Sequence, residues 1–309
     1  MKIVFAGFFA IRLAEMVRAN LSIPCESIEG DETAILPKLA DADVLVSMGF
    51  TPPMAEAAPH LSLVQVPGAG LDRIDRSVMR PGLRLANAYG HEAGIAEYIM
   101  GAMLSLTRSF GSLDASLRKG RWDSQWAVGT PMPPPSPELA GKTLGILGFG
   151  RIGSNVGRLG RALGMEVVAW GPTLTEERAT AGGATLLPLD DVLRRADVLS
   201  VHLRLSPESR GLLSRERLAL LRPTSYLVNT ARGAIADETA LVEMLQSGRL
   251  AGAALDVFVE EPLPRDHPLR RLDNVVLTPH VGWPSAGNYA EWAHNATEQI
   301  LTFLDETGA

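Results

Sequence analysis

One cysteine, Cys25, is all the chain has in 309 residues, so an intrachain disulfide framework and a cysteine metal site are both excluded. No excess of basic charge is present either: 29 Lys and Arg stand against 35 Asp and Glu, for a net charge of -6. That balance argues against a nucleic-acid or anionic-membrane surface as partner. No apolar run approaches the ~20 residues that cross a bilayer as a helix. The opening MKIVFAGFFA is apolar but carries one basic residue, lacks a small-residue cleavage pattern and is soon interrupted by Arg12. It is expected to form a first strand and turn, not a signal peptide, and the expected location is the cytoplasm. No internal repeat of fixed period is found. What remains, 46% hydrophobic and 21% charged, is the composition of an ordinary globular protein long enough for two domains with sizeable cores.

The chain is organised around residues 142–171, KTLGILGFGRIGSNVGRLGRALGMEVVAWG. Leu144 to Leu147 form the short apolar run of a strand buried on both faces, and the run passes directly into Gly148, Gly150 and Gly153 at G-x-G-x-x-G spacing. Ile152, Val156, Leu159 and Leu163 then recur at helical steps, Gly164 stands where a helix is expected to stop, and residues 166–170 supply the next strand. The whole predicts one βαβ unit of dinucleotide-binding length. Gly148 allows the tight turn, Gly150 lets bare backbone approach a pyrophosphate, and Gly153 lets helix and strand pack closely. The helix N-terminus offers unpaired N–H groups and the positive end of its dipole to the phosphates. Such turns also occur without a ligand; strand before and helix plus strand after favour nucleotide binding.

One position departs from the pattern. An acidic residue normally ends the second strand and takes the ribose 2′-hydroxyl of NAD. Here Gly171 stands there, followed by Pro172 and Thr173. Without a carboxylate there is no repulsion against a 2′-phosphate, yet no arginine follows at once to clamp one, so NAD and NADP both stay open.

Around this unit the chain alternates strands and helices. Strands are expected at 2–6, 22–28, 44–47 and 63–66, with helical segments at 11–19, 33–39 and 54–58, which predicts a parallel sheet with crossovers. This first part ends in PGAGLDRID, a glycine-rich loop after a strand, where Gly68, Ala69 and Gly70 either hold a small carboxylate or form a plain tight turn. Residues 95–107 form an unusually apolar helix, a candidate for the element that joins two domains and packs between subunits, and a second helix is expected at 111–118. Pro131, Pro133, Pro134, Pro135 and Pro137 crowd a stiff extended connection. Beyond Gly171, strands are expected at 198–203, 225–229, 252–256 and 275–278, with helices at 216–220 and 238–246. A last helix at 286–303 is long enough to return to the first domain.

Three polar residues follow strand ends: Arg232 in LVNTARGAIAD, Glu261 in LDVFVEEPL and His280 in VVLTPHVGW. Each alone has a bland reading, as a surface arginine, a turn glutamate and a satisfied loop histidine. Together they meet a chemical need. Hydride exchange at a carbon bearing oxygen requires a proton donor and acceptor near neutral pH, which an imidazole is. A carboxylate on its far nitrogen would fix the tautomer, and a planar guanidinium would bind a substrate carboxylate and polarise the neighbouring carbonyl.

With PGAGLDRID, IAEY, RKGRW, GILGFGRIG, VHLRLSPESRGLL, LVNTARGAIAD, LDVFVEEPL and TPH in this order, the chain resembles the D-isomer specific 2-hydroxyacid dehydrogenase family over nearly its whole length. The resemblance implies an α/β protein of two Rossmann-like domains with a cleft between them. Residues 1–93 and 285–309 would form a flavodoxin-like substrate domain, and residues 94–284 a doubly wound dinucleotide-binding domain. It implies an NAD(P)-dependent oxidoreductase that interconverts a 2-oxo acid and a D-2-hydroxy acid, with His280 as acid/base, Glu261 orienting it and Arg232 binding the substrate carboxylate. Gly148, Phe149, Gly150, Arg151, Ile152, Gly153 and Gly171 would hold the cofactor, His202 and the following loop would cover its adenosine, and Thr230 and Ala231 would line the nicotinamide pocket. Asp256 would hold the nicotinamide carboxamide, with His280 beside it; Gly68, Ala69 and Gly70 would bind the substrate carboxylate. No metal is expected, and a homodimer joined through the nucleotide domains is. Two departures stand out. Arg204 replaces a common proline near the expected adenosine pocket, where with Gly171 it favours acceptance of NADP or is simply an exposed loop residue. Trp283 replaces a small residue and either walls the substrate pocket, together with Tyr289 and Trp292, or packs without touching substrate. A nucleotide-sensing regulator on the same fold is the alternative function.

Overall fold

The computed structural model describes the chain apart from residues 1, 8–10, 12, 13, 16, 17, 19–24, 29, 123–128, 130–135, 308 and 309, and apart from the side chains at 286, 289, 292, 293, 304, 305 and 307. Most of the helix expected at 11–19, the start of the strand expected from Ser22, the prolines from Pro131 to Pro135 and the side chains of Tyr289 and Trp292 lie outside the described residues. The chain divides into two units, one of Met1–His91 with Pro284–Ala309 and one of Glu92–Trp283.

The first unit is built on a parallel sheet of strands β1 (Ile3–Ala6), β2 (Cys25–Ile28), β3 (Val44–Val46), β4 (Leu63–Val66) and β5 (Arg84–Asn87), in the order β2-β1-β3-β4-β5. That is the flavodoxin-like order. Successive residues of a strand face opposite sides, and in the middle of this sheet both sides are covered, which is why β1 and β3 read as unbroken apolar runs. Ile3, Phe5, Val44, Val46 and Leu63 pack with Ala296, Ile300 and Phe303 of the C-terminal helix Ala286–Thr307. Val4, Leu45, Val64 and Val66 pack on the other side with Ile35, Leu39 and Met54. Two short helices on that side have side-chain caps: α1 (Glu32–Ile35) under the Asp31 carboxylate and α2 (Pro52–Ala57) under the Thr51 hydroxyl, each accepting from a backbone N–H of the first turn. β5 is not foreseen by the sequence pattern; RLAN is an edge strand with Arg84 exposed, so it carries no apolar run.

The second unit holds a seven-stranded parallel sheet in the order β12-β11-β10-β9-β6-β7-β8. Its helices and strands run α3 (Glu92–Thr107), α4 (Phe110–Arg118), β6 (Thr143–Leu147), α5 (Arg151–Ala162), β7 (Glu166–Trp170), α6 (Glu176–Ala181), β8 (Thr185–Leu186), α7 (Leu189–Arg195), β9 (Val198–Val201), α8 (Arg215–Leu218), β10 (Tyr226–Asn229), α9 (Glu238–Gln246), β11 (Gly252–Leu255) and β12 (Val275–Leu277). Leu144 and Ile146 of β6 face a core made with Ile99 and Met103 of α3 and Val156 of α5, while Leu147 faces the other core with Leu193 of α7 and Leu241 of α9. The molecule is therefore α/β with two parallel sheets, each in a Rossmann-like arrangement. β8, α6 and α7 escape the sequence pattern because they are short and interrupted by polar residues.

In the second sheet the strand order reverses at β6, which pairs with β7 on one side and β9 on the other. Open α/β sheets bind ligands outside the carboxyl ends of the strands at such a point. Several strands stop one or two residues earlier than the sequence suggests, at Val201, Leu255 and Leu277, so His202, Asp256 and Thr278 are loop residues at that rim. Among the described residues no helix is long and apolar enough to cross a membrane, and no group of His, Cys, Asp and Glu is arranged to hold a metal ion.

Candidate active site

The glycine turn is shaped by close backbone approach. Gly148 has φ +94, a conformation L side chains rarely adopt, and a Cβ there would lie 2.8 Å from the His202 carbonyl carbon and oxygen. A Cβ on Gly153 would lie 2.2 Å from the Gly148 carbonyl oxygen, so helix α5 can pack against the turn only with glycine at this position. Gly150 is the N-cap of α5; no side chain caps the helix there, and a Cβ on Gly150 would meet nothing within 4 Å. The first N–H groups of α5 thus open onto space, a fitting cradle for a dinucleotide pyrophosphate. Arg151, the first helical residue, has its guanidinium 3.6 Å from the Glu92 carboxylate at the start of α3. Ile152 packs against the α3-side core.

A cavity of about 480 Å³ opens beside this turn, lined among others by Gly148, Gly150, Trp170, Gly171, His202 and Arg204. The His202 ring sits 2.9 Å from the buried Ser200 hydroxyl, and burial pushes its pKa down to about 3, so the imidazole is neutral at pH 7. Gly171 brings no acidic side chain to this cavity, although Glu208 is among its lining residues. Arg204 and Arg178 also line it, and Arg178 donates to the Thr173 carbonyl at 3.1 Å. Sequence reasoning misses Arg178, seven residues past Gly171; the signal that could have found it is the charged first turn of α6, EER, directly after the loop that carries Gly171.

The structure brings His280 and Glu261 together. His280 Nδ1 lies 2.8 Å from Glu261 Oε2, and Glu261 Oε1 accepts from the Phe258 N–H at 3.0 Å. Burial raises the Glu261 carboxyl, but the hydrogen bonds from His280 and Phe258, with the positive charge of His280 and of Arg232, outweigh it and hold the group below its ordinary value. Arg232 is therefore near enough for its charge to reach Glu261, and it follows β10 in a turn closed by Asn229, whose side chain accepts from Ala231 N–H and donates to the Arg232 carbonyl, both at 3.0 Å. Thr230 in that turn is buried. The bond at Nδ1 leaves His280 Nε2 as the nitrogen that can face a substrate oxygen.

His280 itself has φ +55, in the left-handed region that is uncommon for a residue other than glycine. Asp256 holds it there. Asp256 Oδ1 accepts from Thr278 Oγ1 at 2.6 Å, from Val281 N–H at 2.9 Å and from Tyr98 Oη at 3.4 Å; Oδ2 accepts from Gly282 N–H at 2.8 Å, and the Asp256 carbonyl accepts from His280 N–H at 2.9 Å. The carboxylate that the resemblance assigns to a carboxamide thus ties together both flanks of the histidine. Tyr98 also meets the Thr278 hydroxyl, and a Cβ on Gly282 would come within 3.0 Å of both Asp256 Oδ2 and the Tyr98 ring. Trp283 packs half-buried against the core around Ile95, Ile99 and Met103. In the first unit, the Ala69 carbonyl of the Gly68–Gly70 loop accepts from Asn87 Nδ2 at 3.2 Å, and Gly68 stands next to the Met48 side chain.

Residues 100–282 match the sequence profile described as D-isomer specific 2-hydroxyacid dehydrogenase, NAD binding domain. The chain is 39% identical over 254 residues to the D-3-phosphoglycerate dehydrogenase of Methanocaldococcus jannaschii, a match covering 80% of this chain and 47% of that protein. It is 38% identical over 277 residues to the glyoxylate reductase of Aeropyrum pernix, covering 87% of this chain and 82% of the other. The chain thus spans about half the length of the phosphoglycerate dehydrogenases it matches. Among solved structures, the TT0316 protein of Thermus thermophilus superposes with a TM-score of 0.85 at 30% identity, over 99% of this chain and 97% of that one.

Proposed function

We propose that this chain, a member of the D-isomer specific 2-hydroxyacid dehydrogenase family, is an NAD(P)-dependent oxidoreductase that interconverts a 2-oxo acid and a D-2-hydroxy acid. The observation that carries this reading is the His280–Glu261 contact at 2.8 Å, with the positive charge of Arg232 within electrostatic reach of that carboxylate. The reduced nicotinamide supplies the hydride. His280 Nε2 gives the ketone oxygen the proton that balances that hydride, and takes it back in the reverse direction. Glu261, ionised at neutral pH, holds Nδ1 and stabilises the imidazolium form that donates. Arg232 binds the substrate carboxylate and polarises the 2-carbonyl. The backbone N–H groups after Gly150 hold the pyrophosphate, and the Gly68–Gly70 loop of the first unit is a second candidate for binding carboxylate.

The cofactor we favour is NADPH. Gly171 presents no carboxylate to repel a 2′-phosphate, and Arg178 and Arg204 line the same cavity, where the one lining carboxylate, Glu208, accepts from the Ser206 hydroxyl at 2.7 Å. A homodimer fits the exposed apolar stripe of α4, where Phe110, Leu113 and Leu117 recur at helical spacing and Trp122 follows, all open to solvent. The deciding experiment is a spectrophotometric screen of 2-oxo acids with NADH and NADPH. Turnover of at least one acid that His280→Ala lowers by about 100-fold or more is the expected result. Tight cofactor binding without turnover of any acid would overturn the enzyme reading in favour of a nucleotide-sensing regulator, and a higher kcat/KM with NADH would overturn the NADPH assignment.

A further inference from the structure

Glu261 lies on a loop with few apolar anchors. Val257 and Phe258 are buried, but the Val259 side chain is 57% exposed and Glu260, Glu261 and Pro262 lie at the surface. A carboxylate in such a loop does not stay 2.8 Å from an imidazole nitrogen through burial alone.

Three further contacts hold the loop. Arg232 is followed by Gly233, whose absent side chain allows backbone to lie directly on backbone: a Cβ there would come within 2.1 Å of the Phe258 carbonyl carbon. Glu238, the first residue of α9, accepts from the Val259 N–H with Oε2 at 3.1 Å. Its other oxygen, Oε1, lies 3.3 Å from His267 Nε2. His267 Nδ1 accepts from the Leu269 N–H at 3.3 Å, capping the 3₁₀ turn Pro268–Arg271. An Nδ1 that accepts carries no proton, so the proton is on Nε2, where it points at Glu238. The Glu261 loop therefore runs between two carboxylate–imidazole pairs. One is Glu261 with His280; the other, Glu238 with His267, fixes the backbone one residue after Phe258, whose own N–H holds the other oxygen of Glu261.

We infer that Glu238, held by His267, is a positioning residue for Glu261: it clamps the Val259 amide and so sets the carboxylate that orients His280. The inference rests on the reductase reading above for its kinetic consequence, not for its geometry. A misplacement of about 1 Å in a catalytic group typically costs on the order of 100-fold in rate.

The test is a double-mutant cycle on the full chain with Glu238→Ala, Glu261→Gln and the pair combined, measured on whichever 2-oxo acid the wild type reduces. Glu238→Ala is expected to lower kcat about 10- to 100-fold while leaving cofactor KM unchanged, and to lower it less than about twofold when Glu261 is already Gln, because both changes remove one interaction. Glu238→Gln keeps an oxygen for the Val259 amide but turns its nitrogen against the protonated Nε2 of His267, donor against donor, so it is expected to recover only part of the loss, to within about tenfold of wild type. Full additivity of the two losses, or an equal rise in cofactor KM, would overturn the inference and leave Glu238 a general stabiliser. Amide hydrogen exchange decides the geometry even if the wild type reduces nothing. In Glu238→Ala the Phe258 and Val259 amides are expected to lose protection together, and loss at Val259 alone overturns the inference. Absence of wild-type turnover, by contrast, counts only against the reductase reading.

Discussion

Replacing Asp256 by alanine removes the acceptor for four donors at one stroke. Of these, the Gly282 N–H is buried, out of reach of water; the Val281 N–H is in a surface loop where water can replace the carboxylate. The Thr278 and Tyr98 hydroxyls already touch and can pair with one another, so their loss is discounted. A buried donor left unsatisfied costs ~1–3 kcal/mol, and loss of charge-assisted bonds from the other groups adds to it, giving about 3 kcal/mol in all. For a unit of this size each kcal/mol moves Tm by ~2–4 °C, so the variant should melt about 6–12 °C lower. Scanning calorimetry of the full chain measures this. Asparagine is a poor substitute, because its nitrogen must face either the Val281 or the Gly282 N–H, donor against donor, and more than half of the loss is expected to remain. A shift below about 2 °C for Asp256→Ala would refute the idea that this carboxylate holds the His280 loop.

His280→Ala should lower kcat by about 10²–10⁴-fold with cofactor affinity, read by nicotinamide fluorescence, nearly unchanged. Glu261 gives a pH signature. Its carboxyl is held below the ordinary 4.5 in the folded chain, so the stability it contributes is complete above that pH and is lost as the pH falls through the depressed value. The difference in melting temperature between wild type and Glu261→Gln should therefore narrow below pH 4.5; a difference that widens on acidification would contradict the sign. Leu117→Asp, on the exposed stripe of α4, should convert a dimer to monomers in light scattering while leaving cofactor binding intact, and a wild-type monomer would dismiss that surface.

The β6–turn–α5–β7 unit is legible in the sequence almost to the residue, because three glycines at fixed spacing and a strictly helical apolar pattern have few other uses. Gly164, expected to end the helix, has φ +78 as such a stop requires. The pairing of His280 with Glu261 is anticipated from chemistry, since an imidazole and a carboxylate partner are named by type. The network behind them is not legible. Asp256 reads as the last residue of a strand, and nothing in the chain announces that it binds Thr278, Val281 and Gly282 together. Glu238 looks like an ordinary acidic residue in the first turn of a helix, and His267 like a loop histidine before proline; their meeting depends on how two loops fold back, which periodicity does not encode. Short elements such as β5 and β8 escape for a related reason: they are held by neighbours in the sheet, not by a pattern of their own.

The first unit is discontinuous: residues up to His91 are joined by a helix, Ala286–Thr307, that follows the whole of the second unit. During synthesis, Ile3, Phe5, Val44, Val46 and Leu63 emerge from the ribosome long before Ala296, Ile300 and Phe303 exist to shelter them. The nascent sheet therefore passes most of translation with that face only partly sheltered, by Ala14 but not yet by Ala296, Ile300 and Phe303, so the early strands are the segment on which a chaperone is expected to act.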